Sequence, residues 1–417
     1  MFPVVKSKRP EVSSAEGERS AFLSLTLPIR SQSYMSDLRK VTFTYPAIDN
    51  HCHPLLQELH RDDIHFDGVL SEARGAALTE DAVHTLAGYR ATKQLSQLYG
   101  GSSDRYTWEQ IREHRSGREY DELCRRSFGP ANIQCLLIDD GLGGVDEMCE
   151  GYTWHDQYTS SPSKRIVRVE VIAEVSFSPQ MDLDSDYDQR VLLDSLLALR
   201  ESAQGTFSDW GIVQPHFQGQ FEDLLELCGK DPDVVGFKSV ICYRTGLDVS
   251  LGSPLTEHWE EFAERWIGQN VSNLRLEQKE FNDWVVCLTM KIAGKYQKPG
   301  TLTRKSLTLR YPPNSPPTVQ FHTGVGDNDL LLSKSSPSLL QPLIRAFPDT
   351  PVVLLHASYP FTREAGYLSA VYKNVYLDFG EVFPFVGRLG QKRIVEQILE
   401  LCPTTKALWS SESGLVS

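Results

Sequence analysis

The sequence predicts an α/β protein, a (β/α)8 TIM barrel, and three observations predict it. Eight short apolar runs recur along the chain, longer amphipathic stretches separate them, and polar residues gather where the runs end. The runs are PAIDNHCH (46–53), IQCLLIDD (133–140), IVRVEVIAEV (166–175), VVGFKSVICY (234–243), TVQFHTG (318–324), VVLLHAS (352–358), NVYLDFG (374–380) and KALWSSES (406–413). Strands buried on both faces need not alternate polar and apolar residues, so continuous runs suit a parallel sheet covered by helices.

The intervening stretches read as those helices. In DQRVLLDSLLALRESA (188–203), Val191, Leu192, Leu193, Leu196, Leu197 and Leu199 form a broad apolar stripe. In FTREAGYLSAVYK, Thr362 is placed to cap a helix, with Glu364 in the first turn and Tyr367, Leu368 and Val371 on one face. The segment NDWVVCLTMKIAGKYQK supplies another helix before the fifth run. Polar residues then mark one end of the barrel: His51, His53, Asp139, Asp140, Lys238, His322, His356 and Asp378. In this architecture the C-terminal ends of the strands carry the chemistry.

Two stretches break the pattern. Gly300–Pro317 is rich in Lys, Arg and Pro and reads as an inserted loop, and the chain stops within nine residues of the eighth run, so the last helix is expected to be missing. The expected organisation is a poorly ordered extension over 1–40 and a barrel over 41–417 with an insertion at 300–317 and a truncated C-terminus. Unspliced introns in a gene model would produce both breaks; sequencing the transcript checks this.

Composition narrows the function. With 417 residues, 40% hydrophobic and 23% charged, the chain can fill a large core. A net charge of −13 argues against nucleic acid or an anionic membrane as partner. A small-molecule substrate is expected, and a homo-oligomer is compatible with the sequence. The eight cysteines are scattered with no CxxC pair, which suits reduced thiols. No apolar stretch approaches the ~18 residues of a membrane span. The first twenty residues lack a signal-peptide core and carry glutamates, so a cytoplasmic location is expected.

The histidines carry the chemistry. Residues i and i+2 of a strand face the same way, so His51 and His53 aim at one point while Cys52 turns outward to pack. His322 and His356 stand at the ends of the fifth and sixth runs. Four imidazoles at equivalent strand ends of one barrel point to a divalent metal, zinc first, with one ion expected rather than two. Of the other seven histidines, His155 on the connection between the second and third runs is placed to reach the mouth.

The segments IDNHCHPLL, CLLIDDGL, SPSKRIVRVE, FHTGVGDNDLLL, LLHASYPFTREAGYL and NVYLDFGEVFP resemble the amidohydrolase-related (amidohydrolase family 2) domain of the fungal FluG type. In that group the barrel often precedes a glutamine-synthetase-like domain; these residues include no such segment, and no synthetase activity is expected. The resemblance implies a metal-dependent hydrolase barrel whose ion is held by His51, His53 and His322. His356 would then be a further ligand or a catalytic residue. The family completes its site with an aspartate in a motif resembling W-S-T-D-G-H, and here that place reads Trp409-Ser410-Ser411-Glu412-Ser413-Gly414. Glu412 is thus the expected fourth ligand and proton acceptor.

The expected chemistry is hydrolysis of a small carbonyl, amide or carboxylate-bearing substrate by metal-activated water. Glu412 would take the proton and His356 would stabilise the oxyanion. Lys238, Arg244 and Arg363 are the expected substrate-binding residues; a carbamylated Lys238 could instead bridge a second ion. Asp378 would orient the ligands or cap a turn. The alternatives are a decarboxylase on the same scaffold and a catalytically impaired regulatory barrel.

Overall fold

A computed structural model describes residues 37, 39–41, 44–99, 106–141, 145–175, 210–252, 275–296, 303–304, 307–308 and 316–412. The chain divides into two units, Met1–Tyr45 and Pro46–Ser417. In the first, the described residues before Tyr45 are helical, and Tyr45 N donates to Val41 O at 2.8 Å.

The second unit is an eight-stranded parallel barrel, nearly closed. Its strands are β1 (Ala47–Cys52), β2 (Ile133–Asp139), β3 (Lys164–Arg168), β4 (Val234–Ser239), β5 (Thr318–Phe321), β6 (Val352–Leu354), β7 (Val375–Asp378) and β8 (Ala407–Leu408), and they neighbour one another in chain order. The seam between β8 and β1 is joined by backbone bonds from Asn50 N to Trp409 O, 3.0 Å, and from Glu412 N to His51 O, 3.3 Å. All eight predicted runs contribute a strand.

Three helices fill the long β1–β2 connection: α1 (Leu86–Leu98), α2 (Trp108–Ser116) and α3 (Tyr120–Phe128). Their starts follow from local chemistry. Thr85 accepts from Gly88 N, and Thr107 and Gln110 form a reciprocal capping box. Further on come α4 (Val169–Val175), α5 (Trp210–Lys230), α6 (Lys279–Lys295), α7 (Gln341–Ala346), α8 (Thr362–Val371), α9 (Val382–Phe385) and α10 (Arg388–Leu401).

Strand alternation sorts the side chains. Phe237 of β4 and Phe321 of β5 pack with Phe221 of α5 and Phe281 of α6 in the main core, each burial stabilising by about 1.5–3 kcal/mol. In β2, Leu136 and Ile138 join Cys52 and Phe128 in one cluster, while Cys135 and Leu137 join Ile166 in another. Asp139 continues the Cys135–Leu137 face. Between β3, β4 and β5 the register sets Arg168 beside Lys238 and Lys238 beside Gln320. Charged and amide groups therefore crown an apolar interior.

Several local expectations need correction. The third run splits: β3 ends at Arg168 and Val169–Val175 is helical, because an apolar run alone does not distinguish a strand from a buried helix. Thr362 lies inside α8 with its hydroxyl unpartnered, and no side chain caps that helix. Its buried face is Thr362, Ala365, Gly366, Leu368 and Ser369, whereas Tyr367 and Val371 are about half exposed. Gly366 allows this, since a Cβ there would stand 3.3 Å from Leu401 Cβ of α10. Within the expected insertion, Thr303–Arg304 and Leu307–Thr308 form a short antiparallel pair. The predicted helix at 188–203 lies outside the described residues.

Candidate metal centre

The strand ends bring the four expected histidines into one connected cluster. Ring centroids are 5.2 Å apart for His51 and His53, 5.9 Å for His51 and His356, and 4.3 Å for His322 and His356. Glu412 closes on three of them: its carboxylate is 3.2 Å from His53 Nε2, 3.4 Å from His51 Nε2 and 3.7 Å from His356 Nδ1. Glu412 itself has a left-handed backbone, φ 52°. Asp139 completes a second grouping with His51 and His53.

Hydrogen bonds orient the rings. His53 Nδ1 lies 3.1 Å from the Asp139 carbonyl and its Nε2 lies 3.2 Å from Glu412 Oε1. His322 Nε2 lies 2.7 Å from the Val325 carbonyl, which can only accept, so Nε2 carries the proton. His322 Nδ1 then accepts from His356 Nε2 at 3.0 Å. Tyr243 Oη stands 2.9 Å from His322 Nε2 on the other side. Gly326 permits this crowding, for a Cβ there would lie 2.0 Å from Tyr243 Oη and 2.9 Å from His322 Nε2.

The turn carrying His356 is strained. His356, Ala357 and Ser358 have φ of 66°, 52° and 48°, a conformation that costs about 1–3 kcal/mol per residue outside glycine. Thr323 holds it, bonding Leu355 O at 2.6 Å and Ser358 Oγ at 2.7 Å. Gly324, φ 77°, passes so close that a Cβ would sit 2.3 Å from Tyr359 O.

Electrostatics put the groups in a ligand-ready state. Burial pushes His51 and His356 down to about 4, against the opposing pull of Glu412, and drives His322 well below the usual range. Burial works to raise Glu412, yet the neighbouring His51 and His356 hold it well below the usual carboxylate range. Burial likewise opposes Arg168 at Asp139, and Arg168 prevails, holding Asp139 at about 2. Neutral imidazoles beside ionised carboxylates are what a divalent cation binds.

The unmet polar atoms test that fit. His51 Nδ1, His356 Nδ1, Asp139 Oδ1, Glu412 Oε2 and both Glu381 oxygens are buried without a hydrogen-bond partner. His356 Nδ1 and Glu381 Oε2 are 2.7 Å apart yet not in hydrogen-bonding geometry. Orphaned buried groups at this density are costly unless a cation or solvent meets them. Three ligand-type groupings overlap here: His51–His53–Asp139, His51–His356–Glu412 and His322–His356–Glu381, with donor atoms within 4.8 Å of one another in each. The donor set suits a divalent ion.

The other expected site residues are placed as follows. Lys238 is buried, its Nζ 3.0 Å from His51 Nε2. Arg244 donates to Glu174 at 2.9 Å, and Arg363 makes a paired contact with Glu400 on the exposed helical surface at 2.9 and 3.2 Å. Asp378 is buried, accepting from Gly380 N and Ser410 Oγ at 3.0 and 2.9 Å. His155 has a structural place, accepting from Leu55 N at 3.1 Å.

Sequence reasoning missed Glu381 and Glu72. Glu381 follows Asp378 by three residues and could have been sought at the β7 end. Glu72 sits in an irregular connection with no periodic signal. Burial and then Glu381 push Glu72 up to about 10, and Glu381 is raised as well.

The amidohydrolase family profile matches residues 318–413. Protein fluG of Emericella nidulans is 41% identical over 386 residues, 91% of this chain, and the chain spans 41% of that relative's length. Among solved structures, a Lactobacillus casei protein named as a metal-dependent hydrolase shares the fold, with TM-score 0.67 and 24% identity over 91% of this chain and 84% of that one. A uronate isomerase from Bacillus halodurans reaches only TM-score 0.44 and 11% identity, covering 91% and 83%, too slight a likeness to carry an argument.

Proposed function

We propose that this chain, an amidohydrolase-related domain of the FluG-like kind, is a metal-dependent hydrolase of a small substrate bearing a carbonyl, amide or carboxylate group. The observation that carries the reading is Glu412 closing on His51, His53 and His356 at the mouth of the barrel. The position that holds aspartate in the family motif thus still presents a carboxylate to the cluster, which supports an enzyme over an inert regulatory barrel.

The residues that would hold the ion are His51, His53, Glu412 and His322, the last through its Nδ1 lone pair. Such an ion, zinc first and one rather than two, supplies Lewis acidity and an acidified water, with pKa lowered toward about 7. Glu412 Oε2, buried and without a partner, is the atom that accepts the proton of the attacking water and returns it to the leaving group. His356 keeps its proton at Nε2, now given to His322 Nδ1, and is the donor for a developing oxyanion. Lys238 stands buried beside His51 at the mouth, its Nζ 3.0 Å from His51 Nε2.

Among the described residues no helix is long and apolar enough to cross a membrane; with its scattered cysteines, the chain is proposed to act in the cytoplasm. Elemental analysis of purified protein tests the reading, with His51→Ala and His322→Ala as controls. About one equivalent of transition metal, lost in both variants, is expected; less than about a tenth of an equivalent in the parent rejects the reading. Released amine rather than carbon dioxide from an amino-carboxylate panel separates hydrolysis from decarboxylation.

A further inference from the structure

One segment beside the mouth is tied to the barrel by side chains alone. The connection after β1 is anchored through the turn Phe66–Val69, where Trp108 Nε1 donates to Asp67 Oδ1 at 2.6 Å, and through Leu70, buried in one cluster with Trp108 and Ile111. Beyond Leu70 that anchoring stops. Among the described residues no backbone N–H or C=O of residues 71–74 bonds to another element, and the bond made there is local, from Ala73 N to Ser71 Oγ at 3.1 Å. Gly75 ends the segment with a left-handed backbone, φ 59°, and a Cβ there would meet nothing within 4 Å.

Side chains carry this segment across the cylinder. Arg74 donates to Asp327 Oδ2 at 2.7 Å, joining the β1–β2 connection to the loop after β5. With eight strands neighbouring in chain order, β5 stands opposite β1, so the pair spans the mouth. Asp327 is set to receive it, since its Oδ1 accepts from Asp329 N at 2.9 Å. It also follows Gly326, the residue packed on Tyr243 and His322.

Glu72 hangs beneath. Burial, and then the neighbouring Glu381 of the loop after β7, raises its carboxyl to about 10, so Glu72 keeps a proton to share with Glu381. Glu381 in turn stands 2.7 Å from His356. Residues 71–75 therefore lie over the His322 and His356 side of the centre. The outer attachment is the weak one: the Arg74 side chain is mostly exposed and Asp327 is partly so, and ion pairs in water are made and broken readily. A segment with anchored ends, no backbone bonds and one solvent-facing contact opens at low cost, as lids over reaction sites do.

We propose that residues 71–75 are a strap that gates the metal centre, latched by Arg74 and Asp327 and opening as a unit between Leu70 and Gly75. The inference rests on the proposed reading of the mouth as a metal centre. It assigns access to that centre to the β1–β2 connection rather than to the ligands themselves.

Zinc is the probe. Its release from the loaded full chain into an excess of fluorescent chelator is followed by stopped flow, and uptake by the metal-free chain is followed in the same way. Arg74→Asp and Asp327→Arg should each speed release by about fivefold and uptake by the same factor, leaving the dissociation constant as in the parent. The double reversal, Arg74→Asp with Asp327→Arg, should bring both rates back to within about twofold of the parent. Parent rates in the single variants overturn the proposal, and so does a double reversal as fast as either single. Faster release with unchanged uptake overturns it as well, because the pair would then support the ligands rather than gate them. Zinc content separates the two ideas: bound zinc with unaltered rates removes the strap alone, whereas a parent that binds no zinc removes the metal reading and the gate with it.

Discussion

Ser411 grips Asp49 twice, its backbone N donating to Oδ1 at 3.0 Å and its hydroxyl to Oδ2. One residue earlier Ser410 donates to Asp378, so two buried carboxylates from β1 and β7 fasten the segment that delivers Glu412. Asp49→Ala should therefore weaken zinc binding by about 10–100-fold, the usual cost of losing a group that orients a ligand. Chelator competition measures this, and Ser411→Ala should move the same way by less. Parent affinity in both variants would show that Glu412 needs no such support.

Gly326 offers a test of crowding beside His322. Gly326→Ala places a methyl group against Tyr243 Oη and His322 Nε2, so either ring must shift. A loss of about 1–3 kcal/mol in denaturant unfolding is expected, together with loss of bound metal. Gly151→Ala, where a Cβ meets nothing within 4 Å, serves as the control and should retain its metal.

Arg168 and Asp139 form a buried ion pair at 2.5 Å, with side chains 14% and 0% exposed. Removing one partner leaves an uncompensated charge, and Arg168→Met should cost about 3–5 kcal/mol of stability. The double variant Arg168→Met with Asp139→Asn should recover part of that loss. Chemical denaturation of the parent, Arg168→Met, Asp139→Asn and the double variant decides; additive losses would mean that the pair is not coupled.

Removing the ion should itself destabilise the barrel. A ligand at 100 times its dissociation constant stabilises the folded state by about 2.7 kcal/mol, so chelation should lower the melting temperature. His51→Ala should melt at one temperature with or without chelator. A chelator effect that survives in that variant would locate the ion elsewhere.

Much of this was readable in the chain because β-strand geometry is local. The i, i+2 rule aims His51 and His53 together, and apolar runs ending in histidine place His322 and His356 at the same end of the barrel. Cys52 turns outward into the cluster with Leu136, as the alternation requires. What stayed hidden depends on distant partners. Asp49 and Ser411 are 362 positions apart, and nothing near either announces the other. Glu72 and Glu381 matter through each other, and each alone looks like a loop acid. The helix at Val169–Val175 reads as strand from its sequence because an apolar run suits either element. The exposed Tyr367 and Val371 show a helical stripe shifted by the packing of Gly366 on α10.

β8 contributes only Ala407 and Leu408 to the ladder with β7, where Ser410 adds its bond to Asp378, and the edge toward β1 is stitched by two backbone bonds and the Ser411–Asp49 clamp. Breathing of the cylinder should begin along that line. The same few residues deliver the carboxylate to the histidines, so occupancy of the centre and closure of the wall become one equilibrium. Amide hydrogen exchange at Trp409–Glu412 should then slow on zinc loading, while α6, far around the wall, keeps its rate.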